Sequence, residues 1–491
     1  MTKIFIGSII AILLTAFYLK TSQPESQSEV PILYWVTDPN PIRFEQVDLF
    51  YEWLVENNHV NENGKPILEL RLDFGGIDNK KMIHGISGVA GDIMDCDTMS
   101  FQRLGILADV TEYAEQHNFG LDQTYPALKP VIQRDQKQYS FPCNVNVLSF
   151  WSNADTFKKY GMEAPNKNWT VQEFEKMGIE FTKRANKGLE KQEVFFLSPF
   201  EGWRLYRLLI SLSRSSGQSI LNETLTASTL DQGAFSESLK TLYRWTHELH
   251  LIPSAAESSS FDVEGGYGGA ELSLFIKQKY AMLNIGRWML IRLREMENPP
   301  PVSVSYYPYE KFQNCLISSR NASIYEGSKN KELAALFLAF LASDKYNNNI
   351  ITTADGGPPN PIYAQGKKYT HPEAWQNEWG AHEVPIEAAH TIAIAEARSP
   401  YVSSSIFEKA MSTAYELVMN DLSTPDEAAK EAAKFVDFEI QRNLHDSPSL
   451  KERFSEDMKK QTRIDQEKLE DKKPSLEFIS NPFHKKYHYD K

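Results

Sequence analysis

The chain has 491 residues, with 65 Asp and Glu against 52 Lys and Arg and a formal net charge of −13 at pH 7. An acidic chain without a long basic run excludes a phosphate-backbone binder, which needs a basic face. Its length exceeds what one growing hydrophobic core supports, so two or more domains are expected.

Lys3 precedes an apolar run from Ile4 to Leu19, and a polar stretch follows from Lys20 to Glu29. Residues 1–29 therefore read as an export signal or as a short membrane anchor with a tether. The run would span roughly 24 Å, near the lower limit for crossing a bilayer. A small-x-small cleavage site is hard to find at its end, where Leu14, Ala16, Phe17, Leu19 and Lys20 do not offer it, and no Cys follows the run to carry a lipid. Positive charge before the run and acidic residues after it place the body outside the cytoplasm.

Downstream, Ile32 to Val36 reads as a strand, Asp38 to Pro41 as a turn, Phe44 to Glu56 as an amphipathic helix and Leu68 to Leu72 as a second strand. Asp92, Asp95 and Asp97 form an acidic loop before a helix expected from Ser100 to Leu107. The loop lacks the glycine and distal Glu of a calcium site, and helix capping competes with ligand binding for Asp95 and Asp97. An extended apolar run from Val145 to Trp151 ends in Ser152 and Asn153; a short helix (Ala154 to Tyr160) stops at Gly161 and Pro165 breaks the chain. Thr170 and Glu173 then stand three apart, the spacing of a capping box. His247 and His250 are also three apart, whereas a zinc pair on one helical face needs four. Gly265 to Gly269 has no strand-to-helix context for a phosphate loop and reads as a plain loop. Gly356-Gly357-Pro358-Pro359 is a strong breaker; after Ser447 the charged stretch Lys451 to Lys473 has helical propensity but little apolar stripe, and the end Asn481 to Lys491 reads as an unpacked tail. Strands alternating with helices imply parallel sheets covered on both faces, with ligands beyond the carboxyl ends of the strands.

Several segments carry a family resemblance, in order along the chain. Tyr139 to Thr182 supplies Pro142, Trp151 with Asn153, Asp155, Phe157, Gly161, Pro165 and then Trp169, Thr170, Glu173 and Phe174. Gly91 to Val110, Lys279 to Trp288 (KYAMLNIGRW) and Gly327 to Phe340 (GSKNKELAALFLAF) add to it; Val110 stands where Leu is usual. On these residues the chain resembles, from about 30 to 445, the extracellular solute-binding proteins of ABC importers, in the sugar-binding family 1 group that includes maltose-binding protein.

The resemblance implies an α/β, bilobal periplasmic-binding-protein fold, two parallel-rich sheet domains joined by a three-crossing hinge. Lobe 1 would hold 30–142 and 318–352, lobe 2 would hold 143–317 and 353–445, and 446–491 would be a charged C-terminal tail. It further implies a non-catalytic monomer, periplasmic or extracytoplasmic, tethered to the inner membrane if the apolar run is retained. Such a receptor closes on a carbohydrate ligand and delivers it to ABC transporter permease subunits, with no cofactor, metal or nucleic acid. Ligand-facing positions by resemblance are Trp35, Asp38, Asp95, Asp97, Asn146, Arg287 and Trp288, with Trp203 and Tyr206 on a looser alignment. Cys143 and Cys315 both fall on crossover strands, where either a disulfide or two reduced buried thiols would fit. Two other readings compete: a glycan-acting enzyme, whose carboxylate pair about 5 to 10 Å apart could only be Asp95 and Asp97, and a membrane-anchored sugar sensor.

Overall fold

The computed structural model describes residues 28–76, 78–200, 202–261 and 269–490. The N-terminal apolar run and most of the glycine-rich stretch at Gly265 lie outside these residues. Strands form at β1 (Ile32–Val36), β2 (Glu69–Asp73), β3 (Ile93–Asp95), a hairpin of β4 (Gln133–Arg134) and β5 (Lys137–Gln138), β6 (Phe141–Val147), β7 (Ser149–Asn153), β8 (Phe195–Leu197), β9 (Tyr280–Ile285), β10 (Val302–Ser305), β11 (Cys315–Ile324) and β12 (Ala393–Ala395). One sheet runs β12-β11-β3-β1-β2, with β6 laid antiparallel on β11; the other runs β10-β7-β9-β8. Parallel pairing holds for β1 with β2 and β3, for β11 with β12, and for β8 with β9. The second sheet is mixed because β7, which arrives straight from β6 with only Leu148 between, runs against both its neighbours.

Each sheet has an apolar core on its helix-covered side, and a further cluster joins Val145, Val147 and Ile317 of the first sheet to Trp151, Leu283 and Val304 of the second. Around β1 and β3, Leu33, Trp35, Phe50, Leu54 and Ile93 pack with Phe337 and Phe340 of the helix Lys331–Ala342. Around β7, an aromatic cluster of Phe150, Phe157, Phe174, Phe196 and Trp245 packs with the helices Ser404–Met419 and Pro425–Asp446. The helix Val171–Ala185 that covers this cluster begins with the expected capping box: Thr170 Oγ1 accepts from the Glu173 N–H at 3.2 Å, and the Glu173 carboxylate accepts from the Thr170 N–H at 2.7 Å. Such a cap contributes about 1 kcal/mol.

Three chain passages meet between the sheets. β6 and β11 lie side by side from Phe141 to Val147 and from Ile317 to Ala322. The third passage joins them where Val145 N–H donates to Gly357 O at 2.9 Å and Gly357 N–H returns a bond to Val145 O at 2.7 Å. Gly356 has φ +87°, and a Cβ there would lie 3.2 Å from that of Asn144, so only glycine suits the bend. Cys143 stands opposite the Arg320–Asn321 bulge while Cys315 lies past the Val147 end of the ladder, so the two thiols are unbonded and buried.

Arg287 supports this crossing from beneath, which corrects its expected place in the ligand site. Its guanidinium is buried and donates to the carbonyls of Gly356 (2.7 Å), Ile351 (3.1 Å) and Ile350 (3.3 Å), and it lies over the Tyr369 ring. Its Nε donates to His382 Nδ1 at 3.3 Å, which leaves the imidazole proton on Nε2, 3.0 Å from the Glu378 carboxylate. Arg294 completes the group, paired with Glu378 at 2.7 Å.

The C-terminal stretch is packed, contrary to the tail expected from its low apolar content. The helix Pro448–Leu469 buries Asp457, Gln461 and Ile464. Gln461 accepts from the Thr224 N–H at 3.2 Å and donates to Glu223 at 2.9 Å. Asn481, fully buried, donates to Ser219 Oγ (3.0 Å), Leu221 O (2.8 Å) and Asn222 O (3.2 Å), and Phe483 is buried against Phe312. Polar side chains replace the missing apolar stripe, which periodicity does not register. Asn481→Ala should cost about 2 kcal/mol in urea unfolding, because buried acceptors lose their donor; a change below about 0.5 kcal/mol would contradict this role.

Burial, opposed by the hydrogen bond to Glu378, holds the His382 imidazole down to about 4 from 6.5. The unfolded chain therefore binds this proton near pH 6.5 and the folded chain only near pH 4. The stability tied to the neutral ring is intact above about pH 6.5 and is lost as pH falls towards 4. Melting temperature should fall more steeply across that window in the wild type than in His382→Gln. Parallel pH profiles would contradict the assignment.

Candidate ligand-binding cleft

A cleft of about 510 Å³ opens over the middle of β11, with Ile317 to Asn321 as its floor. One wall comes from the β1 side: Asp38 after β1, Asp78, Asn79, Lys81 and Met82 on the helix after β2, and Asp95 to Asp97 at the end of β3. The facing wall comes from the β7 side: Trp203, Tyr206 and Arg207 on the helix Gly202–Ser215, Glu396 and Arg398 after β12, and Ser403 to Ser405 with Glu408 at the start of the next helix. This is the arrangement expected of α/β sheets, whose ligand sites gather beyond strand ends.

Fixed charges set the chemistry of the walls. Asp95 is buried and accepts from Trp35 Nε1 at 2.8 Å, from Thr37 Oγ1 at 2.5 Å and from the Arg320 guanidinium. Lys81 Nζ donates to its carbonyl at 2.7 Å. Arg43 is fully buried between Asp38 at 2.7 Å and Asp355 at 2.5 Å. Burial would raise the Asp38 carboxyl, but Arg320 and Arg43 bring it down to about 2.

The two walls also touch. Asp97 accepts from Ser100 Oγ on its own side at 2.7 Å, and from Ser404 Oγ (2.7 Å) and Arg398 Nη1 (2.6 Å) on the other. Burial pushes its carboxyl up, while Arg398 and the two hydroxyls hold it below the usual carboxylate range. Arg398 pairs in turn with Glu396 at 3.0 Å, whose other oxygen accepts from Tyr206 at 2.7 Å. Arg207 lies 4.9 Å over the Trp203 ring, and no ion pair holds it among the described residues.

Of the residues expected at the site, Asp38, Asp95, Asp97, Trp203 and Tyr206 line the cleft. Tyr206 offers its edge rather than a platform, since it is only 3 % exposed and its hydroxyl is committed to Glu396. Trp35 is a correction: it is fully buried, its ring packs 4.6 Å from Phe337, and its N–H orients Asp95 instead of meeting a ligand. Asn146 stays in the crossing, bonded to Asn144 at 3.4 Å and pressed against Gly356. Trp288 does not line the cleft; it is partly buried, its ring 5.7 Å from that of Trp203. The helix after the acidic loop runs Thr98–Arg103, with Asp97 at its N-cap, rather than Ser100 to Leu107. Arg320, Arg398, Arg207 and Lys81 escaped the sequence reading. For Arg320 and Arg398 a signal existed: each is a charged residue in or just after an otherwise small and apolar strand.

Fold and cleft together define a bilobal solute-binding protein. The chain belongs to the bacterial extracellular solute-binding protein family, whose match covers residues 80–348, more than half its length. Its structure is similar to that of an ABC substrate-binding protein from Listeria monocytogenes in complex with cycloalternan, with TM-score 0.69 at 20 % identity over 85 % of this chain and 100 % of that one. A maltose-bound protein of T. maritima superposes with TM-score 0.66 at 14 % identity, over 83 % of this chain and 100 % of its own. The GacH receptor of Streptomyces glaucescens, described unliganded and with acarbose, gives TM-score 0.64 at 17 % identity over 84 % and 99 %.

Arg398→Met should destabilise the protein by about 3 kcal/mol, since Asp97 and Glu396 would keep partly buried charges without their cation. In a double-mutant cycle with Asp97→Asn, part of that loss should be recovered. Additive losses in urea unfolding would show that the pair is not coupled.

Proposed function

We propose that this protein is an extracytoplasmic receptor that captures a sugar or oligosaccharide in the cleft and delivers it to the permease of an ABC importer. The observation that carries the reading is Trp203, 40 % exposed on one wall, facing a wall of fixed carboxylates and cations across the β11 floor. A sugar presents an apolar C–H face and a ring of hydroxyls. An aromatic ring suits the first, and carboxylates with guanidinium groups suit the second. The ligands named for the similar structures, cycloalternan, maltose and acarbose, are all carbohydrates or carbohydrate mimics, which supports the same class here.

Capture is by closure. A ligand that touches both walls stabilises the conformation in which they approach, and the three passages at β6, β11 and Gly356–Gly357 form the hinge. The two lobes are 30–142 with 318–352, and 143–317 with 353–445. The family is extracellular, so the body acts outside the cytoplasm, and Ile4 to Leu19 supplies the export signal or anchor. No helix among the described residues is long and apolar enough to cross a membrane.

Binding proceeds without turnover. Glycoside cleavage needs one carboxyl poised as an acid beside a second, free carboxylate. The pair Asp95 and Asp97 does not suit those roles, since Asp95 accepts from Trp35, Thr37 and Arg320, and Asp97 is held ionised by Arg398, which supports binding over cleavage by that pair.

Thermal melts with linear and cyclic malto-oligosaccharides test the reading. A ligand at a hundred times its Kd adds about 2.7 kcal/mol to native stability. Trp203→Ala should weaken binding by about 1 to 2 kcal/mol while leaving the unliganded melt unchanged. A panel with no stabilising sugar, an unchanged affinity in Trp203→Ala, or release of shorter sugars on long incubation would each contradict it.

A further inference from the structure

Aromatic surface inside the cleft is one-sided. Trp203 is exposed on one wall, whereas Phe101, the aromatic ring of the opposite wall, is fully buried. Two exposed rings flank that opposite wall instead. Phe44, 59 % exposed, stands in the first turn of the helix Ile42–Glu56, and Phe74, 42 % exposed, directly follows β2. Their centroids are 5.9 Å apart, edge to face at 70°.

Both rings are next to segments that build the cleft, Phe44 in the first helical turn after the β1 loop and Phe74 in the loop after β2. Arg43, next to Phe44, holds the cleft residue Asp38 at 2.7 Å. Phe74 comes four residues before Asp78, which also lines the cleft. The Thr37 N–H donates to Asp73 O at 3.0 Å, so the segments carrying Asp38 and Phe74 leave the sheet side by side. Gly75 fixes the direction of the second segment: a Cβ there would lie 2.6 Å from Val36 Cγ1, so the chain runs pressed against the end of β1. A lone exposed Phe needs no explanation, but two in contact beside a polar cleft form a continuous apolar face.

We propose that Phe44 and Phe74 form an outer stacking subsite for the sugar rings of a linear oligosaccharide that extends out of the cleft. The proposal rests on the sugar-receptor reading above. An aromatic face accepts the C–H face of a pyranose, and a Phe ring loses little rotamer freedom when it does so. The substrate class is therefore a neutral chain of several sugars, gripped inside by fixed charges and Trp203 and outside by the Phe pair.

The test is calorimetry on the full chain with linear malto-oligosaccharides from disaccharide to heptasaccharide. Wild-type affinity should rise with length. The double variant Phe44→Ala/Phe74→Ala should keep the wild-type melt and the affinity for the shortest ligand bound, while losing about tenfold for the longest, a difference of about 1.4 kcal/mol. Phe44→Trp/Phe74→Trp should retain the dependence on length. Length-independent wild-type affinity overturns the subsite. So does an equal loss at every length, which marks a structural role, or an unchanged affinity with impaired uptake, which marks a face that docks on the permease. Absence of binding at any length overturns the receptor reading for this ligand class, and the subsite with it, and is thereby distinguished from failure of the subsite alone.

Discussion

The buried guanidinium of Arg320 is the interaction on which the rest of the site depends. It stands on β11, the strand of the first sheet on which β6 is laid, and reaches three carboxylates: Asp95 at the end of β3, Asp38 after β1 at 3.9 Å, and Asp355 beside the third crossing at 3.6 Å. Three acidic groups so close, in a partly desolvated place, would repel one another strongly without a cation among them. Arg43 supplies the second positive charge, against Asp38 and Asp355. Two strand ends, a crossing strand and the hinge loop are thus tied by one ionic cluster. A group that can hold sugar hydroxyls in the cleft is the same group that fixes the floor.

Contact across the cleft uses the same chemistry with different partners. Asp97 projects from the N-cap of a short helix on one wall and is met by Arg398 and Ser404 from the other. In the closure proposed above, separating the walls would break this set, and a ligand that bridges them would add contacts to the arrangement in which they meet. Such a balance suits a receptor, because a small difference between two arrangements is what a ligand can bias. The C-terminal helix makes a second link of this kind, where Arg453 pairs with Asp135 on the β4–β5 hairpin at 3.0 Å. Both partners of that link are well exposed, so it contributes little by comparison.

Local structure was legible wherever one short segment decides it. The strand Ile32–Val36, the helix from Ala154, the stop at Gly161 and the Thr170–Glu173 capping box all follow from spacing and side-chain chemistry within a few residues. Site residues were legible by position but less by role. Asp38, Asp95 and Asp97 were found because they follow strands, and Trp203 through the resemblance of its aromatic stretch to that of the family. Trp35 and Arg287 also follow or precede strand ends, yet one points into the Phe337 core and the other beneath the hinge. Side-chain direction at a strand end depends on partners far away in sequence, 60 residues in the case of Asp95 and Trp35. The same limit hid the packed C-terminus, whose buried Asn481 and Gln461 look like surface residues until their partners at 219–224 are known.

The most direct test of the central claim is a crystal structure of the protein grown with a malto-oligosaccharide that it binds. A sugar ring against Trp203, with hydroxyls on the carboxylates and guanidinium groups that line the cleft above β11, is the predicted result. A sugar bound away from the cleft, for example in the groove of Trp375 and Trp379 on the far side of the third crossing, would contradict the account.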